Sequence, residues 1–181
     1  MVKYFARSSG LAQVGGGLRG SVSGFSRRSR KRLIELLCKL DEIDDALFWT
    51  LTYPSEFPDQ FDVFKRDLDT FLKRVKRRWP DAAWIWRVEP QQRGAPHYHL
   101  IIWNIPNGLR RVRLWVTLAW AQIAHQHDKH NGEYATRVER INSRRHAMHY
   151  ASKYSAKVSG EDDQKQWGRR WGYGGSVRIR K

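Results

Sequence analysis

Two apolar segments separated by a short turn-forming stretch constrain the fold of this 181-residue chain more than any other feature. The segments run from Ala83 to Glu89 and from His97 to Trp103, and both contain aromatic and β-branched residues. The stretch between them, PQQRGAP, has prolines at both ends and a glycine inside, which favours a turn. This pattern predicts a β-hairpin, so the sheet must be at least partly antiparallel.

Strand-like and helical segments alternate around this hairpin. The run Leu47–Tyr53 is aromatic and β-branched and stops at Pro54, as a buried strand does. Apolar residues between Phe64 and Trp79 recur every three or four positions, which indicates an amphipathic helix. The remaining predicted elements are helices near 33–40, 111–124 and 142–158, a short strand at 134–141 and a last strand at 176–180. We therefore expect an α+β fold with helices layered on a sheet.

The charge of the chain points to a polyanionic partner. It has 34 Lys and Arg residues against 18 Asp and Glu residues, a net charge of +16, and nine tryptophans. Cations that neutralise phosphates and aromatic rings that stack on bases favour nucleic acid, although a merely basic surface is the alternative for each residue. The residues expected to contact phosphate are Arg27, Arg28, Arg30, Lys31, Arg32, Lys73, Arg77, Arg178 and Arg180.

Domain organisation and location follow from composition. Residues 1–30 are rich in Gly, Ser and basic residues and predict a flexible arm, followed by one folded domain at 31–181. No apolar run approaches the roughly 18 residues of a membrane span. Residues 1–20 lack the continuous apolar segment of a secretion signal, and the single cysteine, Cys38, cannot form an internal disulfide. We expect a cytoplasmic protein without a membrane partner.

His97 and His99 stand two positions apart at the start of the second hairpin strand. Side chains at this spacing point to the same face of a strand, so both imidazoles can reach one metal ion. Glu89 closes the preceding strand, and the hairpin can bring its carboxylate beside them. Two imidazoles and one carboxylate leave coordination positions open for a phosphate, and they suit Mn²⁺ or Mg²⁺. The alternative is a pair of structural strand histidines.

A Tyr-x-x-Lys unit occurs twice, at Tyr150 and Lys153 and again at Tyr154 and Lys157. On a helix these four residues share one face. A nearby Lys charge favours the phenolate form of tyrosine, which makes either phenol a candidate nucleophile. An amphipathic helix without a catalytic role would give the same pattern.

Three segments, in this order, resemble the motifs of HUH endonucleases. They are FWTLTYP (Phe48–Pro54), EPQQRGAPHYHL (Glu89–Leu100) and YASKYSAK (Tyr150–Lys157). More narrowly, they are similar to the rolling-circle replication initiators, or Rep proteins, of single-stranded DNA phages and plasmids. The segment GRRWG (Gly168–Gly172) is similar to one that often follows the tyrosine helix in phage-type members. The resemblance spans about residues 46–175, and its specificity lies in the order of the motifs.

The resemblance implies an RRM-like or ferredoxin-like antiparallel sheet of about five strands with helices packed on it. It implies site-specific nicking and joining of single-stranded or hairpin origin DNA through a 5′-phosphotyrosine, which starts rolling-circle replication. The implied site residues are His97, His99 and Glu89 as ligands of Mn²⁺ or Mg²⁺, Tyr150 and Tyr154 as nucleophiles, and Lys153 and Lys157 as their basic partners.

One departure and two alternatives remain. The sequence contains no P-loop of the form GxxxxGK[ST], so a host helicase is expected to open the duplex and a host polymerase to extend the nicked strand. A relaxase or single-strand transposase would use similar chemistry, but relaxases usually carry the tyrosine before the histidine motif and such transposases generally carry one tyrosine. An RRM-like nucleic-acid binding module without catalysis would use the same sheet and charge.

Overall fold

The structure is a computed structural model that describes residues 26–40, 46–106, 108–124, 136–141 and 167–177. Its elements, in chain order, are α1 (Arg27–Cys38), β1 (Leu47–Thr52), α2 (Phe61–Arg78), β2 (Ala83–Pro90), β3 (Pro96–Trp103), α3 (Leu109–Ala124), β4 (Thr136–Arg140) and β5 (Trp171–Gly175). From β1 to β4 the order is the βαββαβ pattern of ferredoxin-like folds.

The five strands form one antiparallel sheet in the order β4-β1-β3-β2-β5. The predicted hairpin is present, since Ala83 pairs with Trp103 and Glu89 pairs with His97. The predicted α+β fold, an antiparallel sheet of five strands with helices packed on it, is confirmed.

One face of the sheet, called here the α2/α3 face, is covered by the two long helices. Alternate strand residues point to it, so each central strand contributes every second side chain. The helices meet these residues with stripes at three- to four-residue spacing, as the sequence predicted for α2. The largest side chains in this layer are Trp49, Trp84, Trp86, Trp120, Tyr98, Phe64 and Phe71. Each contributes about 1.5–3 kcal/mol on burial, so this face provides the main core.

The outward sides of the long helices carry charge. α2 has 18 residues and α3 has 16. On α2 the Lys73 ammonium forms an exposed ion pair of 2.7 Å with Asp69. Across the described ranges of the chain, no helix is both long enough and apolar enough to cross a membrane.

The opposite face, called here the α1 face, is covered at one end by α1. Leu33, Leu36 and Leu37 of this helix join a second buried cluster with strand residues such as Phe48 and Ile101. The helix begins at Arg27, one residue after Ser26, whose side chain accepts a hydrogen bond from the Ser29 N–H at 3.2 Å. The range 27–30, which the sequence assigned to the arm, is therefore helical, while residues 1–25 lie outside the described ranges.

The last strand lies earlier in the chain than predicted. β5 spans Trp171–Gly175, whereas the sequence predicted a strand at 176–180, of which residues 178–180 lie outside the described ranges. A Cβ atom at Gly172 would stand 2.9 Å from the Trp86 ring, and one at Gly174 would stand 3.0 Å from the Trp84 ring. Glycine leaves room for these two indoles, and its low strand propensity hid the strand from sequence reasoning.

Candidate active site

Three central strands place the predicted metal ligands at one end of the sheet. β1 ends at Thr52, β2 ends at Pro90 and β3 begins at Pro96. Thr52 is the register partner of His97, and His97 is the partner of Glu89, so the three residues lie side by side. Directly opposed residues of an antiparallel pair point to the same face. Their side chains, and that of His99, therefore project from the α1 face.

Neighbours on β1 hold the two imidazoles. The ring centroids of His97 and His99 are 4.5 Å apart with an interplanar angle of 82°. The Thr52 hydroxyl oxygen lies 2.9 Å from Nδ1 of His97, and the His99 ring stacks on Phe48 with centroids 5.5 Å apart. A partner on Nδ1 fixes the orientation of an imidazole and makes Nε2 the nitrogen that can serve as a metal ligand. We infer this role for Nε2 of His97.

The carboxylate of Glu89 lies between an arginine and a histidine. Its Oε1 is 2.9 Å from Nη2 of Arg87, and its Oε2 is 3.9 Å from Nε2 of His99. Arg87 and Glu89 are both 8% exposed, so each charge has lost most of its water. Because an uncompensated buried charge is costly, the ion pair with Arg87 stabilises Glu89 in this position.

The donor set suits a hard divalent cation. One carboxylate and two imidazoles fit Mn²⁺, and the carboxylate also fits Mg²⁺. Neighbouring ligands on such an ion, at about 2.1 Å from it, are about 3 Å from each other, whereas Glu89 Oε2 and His99 Nε2 are 3.9 Å apart. As placed, no three His, Cys, Asp or Glu side chains of the described residues come close enough to hold a metal ion. Side-chain rotations that bring the donors about 1 Å closer would complete the site.

The other half of the predicted site cannot be placed. Tyr150, Lys153, Tyr154 and Lys157 lie outside the residues that the structure describes. The structure thus brings together His97, His99 and Glu89, and the assignment of the nucleophiles stays a prediction.

The comparison with protein families places this geometry in context. Residues 46–159 match the family of replication-associated proteins of the ORF2 type. The chain belongs to this family. The matched segment, which is more than half of the chain, includes Glu89, His97 and His99 as well as both tyrosines of the predicted site.

Other comparisons of this replication-associated protein are sparse. Among solved structures, it is similar to the crystal structure of the hypothetical protein ORF119 from Sulfolobus islandicus rod-shaped virus 1, with a TM-score of 0.39 and 15% identity. That similarity covers 72% of this chain and 97% of the viral chain. No curated protein matches the sequence significantly.

The basic start of α1 lies on the same face of this replication-associated protein as the histidines. The indole N–H of Trp171 donates to the Ser29 hydroxyl at 2.7 Å, and Trp171 is the register partner of Arg87. The first turn of α1 is thereby held near Arg87. Of the residues expected to contact phosphate, Arg27, Arg28, Lys31 and Arg32 are exposed here and Arg30 is partly buried. Lys31 also lies 3.8 Å from Glu35.

The other expected phosphate contacts are not near the histidines. Lys73 and Arg77 belong to α2, which covers the opposite face of the sheet, and the Lys73 charge is already paired with Asp69. Arg178 and Arg180 lie outside the described ranges. α1 is therefore the better placed of the two described basic segments for contacting DNA at the site.

Arg93 holds the hairpin loop and was not predicted from the sequence. Its guanidinium donates to the carbonyl oxygens of Tyr53 at 2.6 Å, Pro54 at 2.5 Å and Ser55 at 3.1 Å. It also lies over the Phe57 ring at 5.1 Å, and the neighbouring Gly94 adopts a positive φ of 79°. These contacts tie the loop between Glu89 and His97 to the end of β1. Arg87 and Thr52 were also missed, although two-residue periodicity places both on the face of Glu89 and His97.

Two tyrosines beneath the site are unsuited to act as nucleophiles. The Tyr53 hydroxyl donates to Oδ2 of Asp67 at 2.9 Å, and the Tyr98 hydroxyl donates to the Phe64 carbonyl at 2.6 Å. Burial, as the largest cause, raises the pKa of both phenols well above the usual value, and the nearby Asp67 raises it further. A buried, protonated phenol on the α2/α3 side cannot reach a phosphate on the α1 face.

Proposed function

We propose that this replication-associated protein initiates rolling-circle replication by nicking and rejoining a single DNA strand through a tyrosine, as HUH-type Rep proteins do. The observation that carries the proposal is the convergence of Glu89, His97 and His99 on one face of the sheet, within the family-matching segment. A module that only binds nucleic acid has no need for a buried carboxylate beside two imidazoles.

The proposed reaction is a transesterification. Held by Glu89, His97 and His99, Mn²⁺ or Mg²⁺ would supply Lewis-acid polarisation of the scissile phosphate. The phenol oxygen of Tyr150 or Tyr154 attacks phosphorus in line with the leaving 3′ oxygen. A bond forms between the phenol oxygen and phosphorus, the bond between phosphorus and the 3′ oxygen breaks, and the phenolic proton is transferred to the 3′ oxygen. The products are a 5′-phosphotyrosine and a free 3′-hydroxyl that a host polymerase can extend.

The paired tyrosines account for a complete cycle. One phosphodiester replaces another in each step, so the reaction is nearly balanced in energy and runs backwards as joining without ATP. While one phenol holds the first 5′ end, the second can cut the regenerated origin after one round of synthesis. Lys153 and Lys157 are proposed to favour the phenolate of their neighbours by their positive charge.

The proposed substrate is single-stranded or hairpin origin DNA of a phage or plasmid element. The net charge of +16 attracts the DNA backbone, and the basic first turn of α1 lies on the face that carries the histidines. A host helicase is the proposed source of single strands. We propose the cytoplasm as the site of action, because host replication enzymes work there.

Covalent trapping tests the proposal. The full chain is incubated with single-stranded origin DNA and Mn²⁺, and a denaturing gel is examined for protein of reduced mobility. We expect an adduct with the wild-type protein and none with the Tyr150→Phe, Tyr154→Phe double variant. Tyr173→Phe is the matched control, because this phenol is 52% exposed and lies on β5 outside the predicted motif.

The trapping experiment also separates the alternatives. An adduct that persists in the double variant contradicts the assignment of the nucleophiles. Binding without any adduct, over a library of single-stranded sequences, indicates a non-catalytic binding module. Sequencing the new 3′ end distinguishes an origin from a transposon end or a transfer origin, and thus separates an initiator from a transposase or relaxase.

A further inference from the structure

A lysine on the first turns of α2 is held between aromatic rings. Nζ of Lys65 lies 4.8 Å from the centre of the Trp86 ring and 5.3 Å from that of Phe61. The residue is partly buried, so its ammonium group has lost part of its water. Such cation–π contacts fix the position of a charge that would otherwise move freely on a flexible side chain.

The segment before β5 brings a second cation to this lysine. A Cβ atom at Gly168, which has a φ of +55°, would lie 2.0 Å from the Phe61 ring, so only glycine permits this close approach. The next residue, Arg169, is exposed, and its charge adds to the effect of burial in lowering the pKa of Lys65. Within the described ranges, no carboxylate lies within ion-pair distance of Lys65 or Arg169.

Two neighbouring cations without a carboxylate form an anion site. Their mutual repulsion, and the partial desolvation of Lys65, are offset when an anion lies between them. A guanidinium offers paired donors that match phosphate oxygens, and an ammonium adds a compact charge. A phosphate group therefore fits the Lys65–Arg169 pair.

The position of the pair points to a phosphate of the DNA strand. The Val88 N–H donates to the Arg170 carbonyl at 2.9 Å, so the segment 168–170 runs along the end of β2 that carries Glu89. The Tyr98 hydroxyl ties the first turns of α2 to the same end of β3. The pair thus lies at the β5 edge, at the same end of the sheet as the candidate active site.

We propose that Lys65 and Arg169 together hold one backbone phosphate of the single DNA strand, at a position flanking the scissile phosphate. This subsite rests on the proposed function for its ligand, but it requires neither metal nor cleavage. It extends the DNA path from the α1 face around the β5 edge of the sheet.

Binding without metal tests the subsite separately from nicking. The affinity of the full chain for a fluorescein-labelled single-stranded oligodeoxynucleotide is measured by anisotropy in EDTA, between 50 and 200 mM salt. For single strands the slope of log K against log salt changes by about 0.7 for each phosphate contact. We expect the Lys65→Gln, Arg169→Gln double variant to lose about 0.7 of slope and to bind roughly three- to tenfold more weakly at 0.1 M salt.

Two control variants keep the result specific. Arg78→Gln removes one cation from the last turn of the same helix, where Arg78 lies over Trp79 at 5.9 Å and is exposed, and it should leave the slope unchanged. Lys65→Arg keeps the charge and should keep the slope. Thermal unfolding of each variant shows whether the fold is intact.

Several results would overturn the subsite. These are an unchanged slope in the folded double variant, an equal loss in Arg78→Gln, or a loss near 1.4, which would mean two separate phosphates. Tighter binding of RNA than of DNA of the same sequence would overturn the assignment to a DNA strand. Loss of the slope with no covalent adduct in the trapping experiment would support the subsite and contradict only the nicking activity.

Discussion

The hydroxyl oxygen of Thr52 lies 2.9 Å from Nδ1 of His97, across the register pair that joins β1 to β3. Thr50, two residues earlier on the same face, is the register partner of His99, but its side chain makes no hydrogen bond within the described part of the chain. The two threonines therefore form a matched pair, of which only Thr52 orients a candidate metal ligand.

Thr52→Val should weaken metal use without abolishing it. Loss of a group that orients a histidine ligand typically costs about 10- to 100-fold in metal affinity or activity. The rate of adduct formation, measured against Mn²⁺ concentration, should need more metal to reach its plateau. Thr50→Val should behave as the wild-type protein, and an equal change in both variants would contradict the positioning role of Thr52.

His97→Ala should abolish cleavage while DNA binding is largely retained. The imidazole is assigned to the metal, whereas affinity for DNA depends on lysines and arginines dispersed over the surface. Adduct formation and metal-free anisotropy are measured on the same preparation. Cleavage that persists at saturating Mn²⁺ would refute the ligand assignment.

Arg87→Ala should destabilise the fold far more than Arg137→Ala. Both arginines pair with a glutamate two residues on, at 2.9 Å for Arg87 and 2.7 Å for Arg137. The Arg87 pair is buried in a central strand, so loss of the cation leaves a desolvated carboxylate and costs about 3–5 kcal/mol. Arg137 lies on the edge strand with its side chain 72% exposed, so its loss costs less than about 1 kcal/mol.

Urea unfolding of the two variants measures this difference. Similar free energies of unfolding would show that the Glu89 carboxylate does not depend on Arg87. The double variant Arg87→Ala, Glu89→Ala should recover part of the lost stability, because it removes the desolvated charge together with its partner.

Gly172→Ala should lower the free energy of unfolding by about 1–3 kcal/mol, the usual cost of forcing an extra methyl group into a packed site. The added Cβ would lie 2.9 Å from the Trp86 ring, so β5 or the indole must shift. Gly108→Ala is the control, since nothing lies within 4 Å of its Cβ position. Equal unfolding midpoints for both variants would contradict the packing of Trp86 against β5.

Stability should fall as the pH rises above about 10, the pKa of a phenol in the unfolded chain. Burial raises the pKa of Tyr53 and Tyr98 in the folded state, so the folded protein keeps two protons that the unfolded chain releases. The two phenols together contribute a loss of up to about 2.7 kcal/mol per pH unit, and their contribution is complete below pH 10.

The Tyr98→Phe variant checks the origin of this pH dependence. Its free energy of unfolding should be lower at neutral pH by about 1 kcal/mol, because the hydrogen bond to the Phe64 carbonyl is lost. Its decline above pH 10 should be less steep, since one titrating phenol is gone. A decline as steep as that of the wild-type protein would contradict the assignment.

The central part of the fold could be predicted because periodicity and turn residues agree there. β1, β2 and β3 are apolar runs bounded by proline, and α2 has an unbroken apolar stripe, so local pattern and tertiary packing indicate the same elements. β5 could not be predicted, because its glycines are required by Trp84 and Trp86 of another strand. Such a requirement comes from packing and leaves no trace in local propensity.

The candidate site shows the same division. Glu89, His97 and His99 follow from spacing on a hairpin, which is local information. Thr52 reaches His97 only through the pairing of β1 with β3, and Lys65 meets Arg169 only where α2 packs near the start of β5. Contacts between distant segments of the chain require the sheet order, which the sequence did not provide.

Arg93 makes the hairpin loop and the end of β1 a single unit, because its guanidinium spans three carbonyl oxygens of residues 53–55. The conformational entropy of ordering this loop is lost when the chain folds. An incoming cation or nucleotide therefore meets a preorganised surface, and less of its binding free energy goes into arranging Glu89 and His97. A rigid hairpin also lets the same geometry serve strand cutting and strand resealing alike.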